Sequence, residues 1–459
     1  MIPDNVLLEI FDLCQQHDPH RLVWKWHVLV HVCHRWRQIV FSSPTRLNLQ
    51  ILCTQRTPVR KDLDIWPTFP LIIRYEGYEY PTDEDDIIAA LENSSRVCDV
   101  RLHVTGPQLG RITTALQEPF PALTHLLVWS NDVNVPILPV EFLARSAPSL
   151  QAVFLTNISF PTLPLLLPST SNLVTLELRK IPQTGYIPPE AMVTGLATLT
   201  RLEHLSIQFQ SPASRPNRIR LPPAIRAVLP ALTSIYFSGV REYLEDFVAR
   251  IDAPRLDSIW IYYFNQLIGF EVPQLSRFID HPESLKRPMR CIVEFLSHRV
   301  SFRAGAATFI PESFNDFPYH IEVCIVCEEL DWQISHLTQA LGQISVVRSN
   351  IIHFAVDFDP EIPESEIIDN IGWLGLLSPF SSMRTLFVPN RFAGHVAQAL
   401  EDTAGVIATE MLPALDMLCL KGEPESSVDK FIASRRDSGR PVIFVNTETE
   451  FEGRLKSYH

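Results

Sequence analysis

The sequence predicts an α/β solenoid, in which parallel strands line a concave face and helices line the convex face, preceded by a short all-α segment. Three observations support this prediction. A six-residue apolar template recurs along most of the chain, stretches with helical spacing lie between its copies, and the first 47 residues show helical spacing without the template. Of the 459 residues, 46% are hydrophobic and 20% are charged, which is typical of a folded chain with a large core.

The N-terminal segment is predicted to form two or three short helices. Apolar residues at positions i, i+3, i+4 and i+7 mark one helix face in each of two stretches: Leu7, Ile10, Phe11 and Cys14, then Leu29, Val32, Cys33 and Trp36. Pro44 disfavours continuation of the second stretch. Two or three short helices are too few to bury both of their faces against one another. We therefore expect them to dock on the start of the solenoid, on a partner, or on both.

The repeated template reads apolar, two free positions, apolar, one free position, apolar. Successive copies begin 23–32 residues apart over the two stretches that contain them. The copies begin at Val97, Leu123, Leu150, Leu173, Leu202, Leu232 and Leu256, and later at Ile351, Met383 and Leu415. Between Leu256 and Ile351 there is room for two more units, and Cys291–Phe295 and Ile321–Ile325 are the candidates, both with an ambiguous register. Each copy has the length and alternation of a strand.

Segments with helical spacing separate these strands, as at 85–91, 240–251, 274–279, 334–341, 367–377 and 428–433. One strand and one helix every 23–32 residues is the period of leucine-rich repeats. We therefore predict an irregular leucine-rich-repeat horseshoe over residues 48–446 and a C-terminal tail over 447–459. A doubly wound sheet of βαβ units is the alternative. It would favour near-continuous apolar strands and glycine-rich turns, which this sequence lacks.

The N-terminal segment also resembles a known family. Ile2–Phe11, which reads Ile-Pro-Asp-Asn-Val-Leu-Leu-Glu-Ile-Phe, is similar to the opening of an F-box, and Leu29–Arg37, which reads Leu-Val-His-Val-Cys-His-Arg-Trp-Arg, is similar to its second half. The resemblance covers residues 1–47, and the whole layout resembles fungal F-box proteins with leucine-rich repeats. It implies a substrate receptor that docks on the Skp adaptor of a cullin–RING ubiquitin ligase. The implied adaptor-binding residues are Ile2, Pro3, Leu7, Ile10, Phe11, Leu29, Val32, Cys33 and Trp36.

The free positions of the predicted strands point away from the core and offer a binding surface. They include large aromatics and arginines, which are enriched in binding hot spots. The surface carries both signs of charge and large apolar groups, which suits a protein or peptide ligand. The alternative is that neighbouring loops or the chain ends cover some of them, or that a register slip of one residue turns them inward. The substrate-binding candidates are Arg101, Trp129, Phe154, Glu177, Arg179, Tyr236, Trp260 and Tyr262.

Charge and motif content argue against several other classes. The formal net charge of −13 disfavours a nucleic-acid ligand, and no apolar run reaches the ~18 residues that span a bilayer. The motif His31–His34 lacks a second ligand pair, so packing of Cys33 on the apolar helix face is the better interpretation. Cys324 and Cys327 form a lone CxxC whose thiols would face opposite sides of a strand. We expect no metal, no cofactor and no catalytic activity.

The sequence therefore predicts a non-catalytic adaptor that links protein substrates, through its repeats, to a Skp-type adaptor of a ubiquitin ligase. The alternative is a leucine-rich-repeat interaction scaffold without that link, whose helical start only caps the solenoid. The start of the chain has no basic n-region, and its eight cysteines are too sparse for a disulfide framework. We therefore expect a cytoplasmic and/or nuclear location.

Overall fold

The computed structural model describes residues 2–16, 26–54, 59, 63, 66, 68–77, 84–212, 226–264, 270–306, 319–359, 362, 368–402, 411–420 and 426–446. The chain divides into two compact units, unit 1 (Met1–Ile187) and unit 2 (Pro188–His459). This division follows contacts within the chain and does not test the predicted boundaries at residues 47 and 446, which stay predictions. The predicted tail at 447–459 lies outside the described residues.

Unit 1 begins with helices and continues with parallel strands. Its helices are α1 (Asp4–Gln16), α2 (His27–Val30), α3 (His34–Ser42), α4 (Asp85–Leu91), α5 (Gly106–Ile112) and α6 (Leu163–Leu166), with 3-10 turns at Ala115–Gln117, Phe142–Arg145, Leu167–Ser169 and Gln183–Gly185. Its strands are β1 (Ile51–Thr54), β2 (Leu71–Glu76), β3 (Val97–His103), β4 (His125–Trp129), β5 (Ala152–Thr156) and β6 (Thr175–Ile181).

Strands β1 to β6 pair in chain order, and every pair is parallel. Buried and accessible positions alternate along most of these strands, as in β4, where Leu126 and Val128 are buried while His125 and Trp129 are exposed. In β2 the first three residues are all buried. Alternation arises because successive side chains of a strand point to opposite faces. The template residues therefore form the core, and the positions between them form an accessible sheet face.

The N-terminal helices pack on one another and on the first strands. The rings of Phe11 and Trp36 meet edge to face, with centroids 4.9 Å apart. The indole of Trp26 is buried, its Nε1 donates to the carbonyl of Gln50 at 2.6 Å, and its ring lies 5.4 Å from that of Phe69. The helical segment thus has a small core of its own that continues into the start of the sheet.

A buried carboxylate ties α4 and α5 to the sheet. Glu84 lies just before α4, is 5% exposed, and accepts two hydrogen bonds of 2.7 Å from Arg111 and one of 3.0 Å from the Tyr75 hydroxyl. The hydrogen bond from Arg111 holds the pKa of the Glu84 carboxyl below its usual range, against the opposing effect of burial. Three donors satisfy a charge that would otherwise be costly to bury.

A side-chain amide links two neighbouring turns at the carboxyl end of the strands. Asn157 follows β5 directly, with a positive φ of 54°, and its Nδ2 donates to the carbonyls of Ser130 and Asp132 at 3.2 and 3.0 Å. Asparagine tolerates the left-handed backbone region better than most residues. Its amide can satisfy carbonyls that a turn leaves without partners.

Unit 2 repeats the strand–helix alternation with one interruption. Its helices are α7 (Pro189–Leu196), α8 (Arg241–Val248), α9 (Pro273–Ile279), α10 (Leu330–Gln343), α11 (Ser345–Asn350), α12 (Asn370–Leu377), α13 (Asn390–Asp402) and α14 (Ser426–Asp437), with a 3-10 turn at Glu283–Lys286. Its strands are β7 (His204–Phe209), β8 (Ala227–Val228), β9 (Ser234–Gly239), β10 (Ile251–Asp252), β11 (Ser258–Tyr263), β12 (Arg290–Leu296), β13 (Arg299–Gly305), β14 (Ile321–Val326), β15 (His353–Phe358), β16 (Thr385–Val388), β17 (Met417–Leu420) and β18 (Ile443–Asn446).

The strands of unit 2 form a sheet in the order β7, β9, β11, β14, β13, β12, β15, β16, β17, β18, and β8 pairs with β10 apart from it. All neighbours in the sheet are parallel except those of β13, which runs antiparallel to both β12 and β14. The prediction of parallel strands throughout is therefore wrong between Leu256 and Ile351. The two predicted strands exist as β12 and β14, but β13 was missed. A two-residue connection at Ser297 and His298 joins β12 and β13, which favours a hairpin over a crossover.

Candidate docking surfaces

Helix α1 exposes an apolar stripe, which consists of Ile2 just before the helix and Val6, Ile10 and Leu13 within it. These side chains are 51%, 40%, 40% and 52% exposed. Their spacing of four, four and three residues places them on one side of the helix. The stripe is therefore an exposed apolar surface among the residues that the structure describes.

A second apolar side of α1 faces the core. Leu7 and Phe11, one turn apart, are 4% and 1% exposed. Phe11 packs against the half-buried Trp36 of α3. The helix therefore divides its apolar residues between an internal contact and an exposed one, and the predicted adaptor-binding residues fall on both sides.

The remaining predicted adaptor-binding residues lie in or near the turn between α2 and α3, except for Pro3. Pro3 and Val32 are exposed, and Leu29 is half-buried. The predicted second helix is broken at His31–Cys33, so that Cys33 is the N-cap of α3 and its Sγ accepts from the Trp36 amide at 3.5 Å. Cys33 is exposed, so its assignment to the packed helix face is wrong. The break turns the residue out of the face that a continuous helix would have buried.

Surface ion pairs hold α1 in place. Arg35 of α3 donates to the Asp4 carboxylate at 2.9 Å and to the carbonyl of Ile2, and Arg46 pairs with Glu9. Both acids are largely exposed, so each pair contributes ~1 kcal/mol or less. They connect α1 to α3 and to the segment that follows it.

The accessible sheet face of unit 1 carries most of the predicted substrate-binding residues of that unit in one row. Neighbouring strands place Arg74, Arg101, Leu127, Phe154 and Glu177 directly beside one another, from β2 to β6. All five side chains are half-buried. The row thus runs from two cations, across two apolar groups, to an acid; Arg74 was not among the sequence candidates.

A second row on the same face lies two residues further along each strand. It brings together His103, Trp129, Thr156 and Arg179. The His103 and Trp129 rings stack with their centroids 4.0 Å apart and 4° between planes. Burial lowers the pKa of His103 below its usual value, which favours the neutral imidazole in this stack. Trp129 is 38% exposed, so its outer ring face is available to a ligand.

The charged residues on this face are partly neutralised within their own strands. Arg101 Nε and a terminal nitrogen donate to the two carboxylate oxygens of Asp99 at 3.0 and 2.9 Å. Glu177 and Arg179 pair at 2.5 Å. The sequence prediction named Arg101, Glu177 and Arg179 separately, whereas the structure shows two side-chain pairs that each use alternate positions of one strand.

The accessible sheet face of unit 2 places its three predicted substrate-binding aromatics on adjacent strands. Tyr236 of β9 lies beside Trp260 of β11, and Tyr262 follows two positions later. Tyr236 is 39% exposed, and the other two are half-buried. On the far side, β14 places Glu322 next to Trp260. Burial raises the pKa of the Glu322 carboxyl, and the Arg303 cation opposes this effect.

Beyond Glu322 the same face is partly covered by the protein itself. Ile292 and Ala355 are 2% and 5% exposed, and Tyr319 and Phe387 pack against them. Arg303 lies over the Tyr319 ring at 5.5 Å from its centroid and pairs with Glu294. These residues lie around the hairpin that the sequence prediction missed, and the alternating runs on either side of Ser297 and His298 were the available signal.

No metal or redox site is evident in the part of the chain that the structure describes. Among those residues, no group of three or more histidine, cysteine or acidic side chains is placed to hold a metal ion. Cys324 and Cys327 are buried. Burial raises the pKa of the Cys324 thiol to about 12 and also raises the pKa of the Cys327 thiol. Such thiols are poor nucleophiles and poor metal ligands at neutral pH. Of the described helices, none is long and apolar enough to cross a membrane.

No protein-family model matches this chain, and no curated protein matches it. Among solved structures, the chain is similar to the leucine-rich repeat-containing protein LegL7 from Legionella pneumophila, with 12% sequence identity and a TM-score of 0.29. The match covers 75% of this chain and 99% of that chain. The strands and helices described above establish a mostly parallel sheet with helices between its strands.

Proposed function

We propose that this protein is a non-catalytic substrate-recognition adaptor. Its N-terminal segment, residues 1–47, acts as an F-box that docks on a Skp-type adaptor of a cullin–RING ubiquitin ligase. The sheet faces of a leucine-rich-repeat region at 48–446 hold the protein substrate. The proposal takes the F-box from the resemblance of Ile2–Phe11 and Leu29–Arg37 to that family, and the substrate surface from the two accessible sheet faces.

The observation that carries the proposal is the exposed apolar stripe of α1. The four side chains of the stripe are each 40–52% exposed. A partner that covers them stabilises the complex by roughly 25 cal/mol per Å² of apolar surface removed from water. Clustered exposed apolar residues on a folded chain are typical of protein interaction sites. Leu7 and Phe11 anchor α1 in the core, so little ordering of the helix is needed on binding.

The first experiment is a pull-down with a purified Skp-type adaptor. We expect it to capture the full chain and to lose it when residues 1–45 are deleted. Equal capture with and without those residues would reject the ubiquitin-ligase link.

A matched pair of point variants separates the stripe from the rest of the helix. Ile10→Asp adds a charge to the stripe, whereas Asn5→Asp adds the same charge at an exposed position of α1 outside it. We expect Ile10→Asp to weaken capture at least tenfold, because it buries a carboxylate in the interface, and Asn5→Asp to have little effect. Both should melt at the temperature of the parent protein, since neither position is buried.

The second candidate function is a leucine-rich-repeat interaction scaffold without the ubiquitin-ligase link. The burial of Trp26 against Gln50 and Phe69 favours it, because this contact lets the N-terminal helices cap the first strands. Affinity purification with and without proteasome inhibition distinguishes the two. A substrate receptor should recover additional proteins, together with the adaptor, when the proteasome is inhibited, whereas a scaffold should recover the same partners in both conditions.

A further inference from the structure

We propose that Arg74 and Arg101 on the sheet face of unit 1 bind an anionic side chain of a substrate peptide, and that Leu127 and Phe154 beside them receive an apolar side chain of the same peptide. The anion is a carboxylate or a phosphate, since both present two oxygens that can accept parallel hydrogen bonds from a guanidinium. This inference rests on the part of the proposed function that assigns substrate binding to the sheet faces, and not on the ubiquitin-ligase link.

The two arginines face each other across neighbouring strands. Arg74 of β2 and Arg101 of β3 are register partners, so their side chains leave the sheet about 4.8 Å apart on the same face. Arg101 already uses Nε and one terminal nitrogen on the Asp99 carboxylate. Among the residues that the structure describes, nothing accepts a hydrogen bond from the buried Nε of Arg74. The Nε of Arg74 is therefore a donor that these residues leave unsatisfied.

The charges around Arg74 favour an anion at this place. Burial and then the neighbouring Arg101 cation lower the pKa of Arg74, and Asp99 and Glu76 only partly offset them. The Asp99 carboxylate is engaged by Arg101, and Glu76 is exposed at the end of its strand. A ligand anion between the two guanidinium groups would relieve their repulsion and offer the Arg74 guanidinium an acceptor. An unsatisfied buried donor is costly, so its satisfaction by a ligand contributes to affinity.

The rest of the row decides what accompanies the anion. Leu127 and Phe154 follow Arg101 on the next two strands, at about 5 and 10 Å from it. An extended peptide advances ~3.3 Å per residue, so a peptide that crosses the strands places an apolar residue two or three positions from its anion. The exposed outer face of Trp129 lies in the adjacent row. The expected ligand is an extended segment with one acidic or phosphorylated residue and one apolar residue at this spacing.

A nucleic acid is the less suitable occupant, although its phosphates share the same chemistry. The net charge of −13 repels a polyanion as a whole, whereas a peptide presents a single anion locally. A phosphate backbone also offers no apolar group that could contact Leu127 and Phe154. A single-stranded oligonucleotide is therefore included in the test as a competing ligand.

The test is a peptide library of the form X4–Z–X4, incubated with the full chain, in which Z is Asp, phosphoserine, Asn or Lys. We expect enrichment with Asp or phosphoserine at Z, together with an apolar residue two or three positions away, and the stronger of the two identifies the source of the anion. Selected peptides are then measured by fluorescence anisotropy. Arg74→Gln should weaken binding about tenfold, the size of one lost charged hydrogen bond.

The control is Arg145→Gln, which removes the same charge from an exposed ion pair of unit 1 with Glu141 and should bind the peptides as the parent does. Arg74→Lys keeps the charge without the planar fork and should lie between the parent and Arg74→Gln. Phe154→Ala should remove the apolar preference but keep the preference for an anion, which tests the site even if an Arg74 variant folds poorly.

Several results would overturn the inference: no preference for an anion at Z, a preference that Arg74→Gln leaves unchanged, or tighter binding of an oligo-dT strand that is lost in Arg74→Gln. The outcome is independent of the Skp-type adaptor. Failure of the library with successful adaptor capture rejects only this inference, whereas an anion-dependent peptide without adaptor capture keeps the inference and rejects the ubiquitin-ligase link.

Discussion

The assignment of core and accessible faces in unit 2 can be tested within a single strand. In β11, Ile259 and Ile261 are 0% and 2% exposed, whereas Trp260 and Tyr262 are half-buried on the opposite face. Two double variants in this one strand therefore probe the two faces separately. One combines Ile259→Ala with Ile261→Ala, and the other combines Trp260→Ala with Tyr262→Ala. If the face assignment is correct, the smaller side chains matter more for stability than the larger ones.

The size of the difference follows from burial. Replacement of a buried isoleucine by alanine costs ~2–5 kcal/mol, so the isoleucine pair should cost about 4–10 kcal/mol if the two positions are independent. Each kcal/mol lowers the melting temperature of a domain of this size class by about 2–4 °C, so we expect a drop on the order of 10 °C or more. The aromatic pair leaves the core intact and should lower the melting temperature by less than half as much.

Differential scanning calorimetry of both variants and the parent measures this difference, and circular dichroism checks that the secondary structure is kept. Binding of a substrate, once isolated, should show the reverse order, because exposed aromatics are typical of hot spots. The reasoning is refuted if the aromatic pair destabilises the protein as much as the isoleucine pair. In that case the faces are exchanged, and every residue assigned to the accessible face must be exchanged with its neighbour.

Three further predictions concern single side chains. Arg111 holds the pKa of the Glu84 carboxyl below its usual range. The stability that Glu84 contributes is therefore fully present above the pKa of an unfolded carboxyl, ~4.3, and is lost as the pH falls through the lower pKa of the folded state. In urea titrations, Glu84→Gln should cost about 1–3 kcal/mol at pH 7 and much less in acid; an equal loss at both pH values would contradict this. Burial raises the pKa of Glu322, so its charge opposes folding, and stability should fall as the pH rises through that pKa. Glu322→Gln should therefore melt higher than the parent at pH 7 and at the same temperature in acid, and a lower melting temperature at pH 7 would show the opposite sign. Phe11→Ala should cost ~3–5 kcal/mol and speed hydrogen exchange in the N-terminal helices, whereas Leu13→Ala, at a position 52% exposed, should leave exchange as in the parent; equal effects would mean that α1 does not divide its apolar residues as described.

Much of the secondary structure could be predicted from the sequence, because its signals are local. The helical spacing at 85–91 coincides with α4 (Asp85–Leu91). The apolar template marks strands such as β4 and β11, with the predicted residues buried. Alternation with period 2 belongs to the backbone of each strand, so it needs no knowledge of the neighbours.

The candidate surfaces were predictable only in part. Trp129 and Tyr236 were predicted to be accessible and are 38% and 39% exposed, whereas the position of Arg74 beside Arg101 depends on the register between two strands that are far apart in sequence. Similarly, the pattern Leu7, Ile10, Phe11 predicts an apolar helix face but not that Phe11 turns inward and Ile10 outward. That division depends on where α3 and Trp36 pack.

The sequence by itself determined many of the strands and helices, which strand positions are apolar, and that the first 47 residues show helical spacing without the repeated template. Tertiary structure alone decided the pairing order in unit 2, where β13 (Arg299–Gly305) enters antiparallel between β12 and β14. It also decided which charged side chains face one another across strands. The physical reason is that propensity and periodicity act over a few residues, whereas strand pairing and side-chain burial are set by contacts between segments distant in sequence.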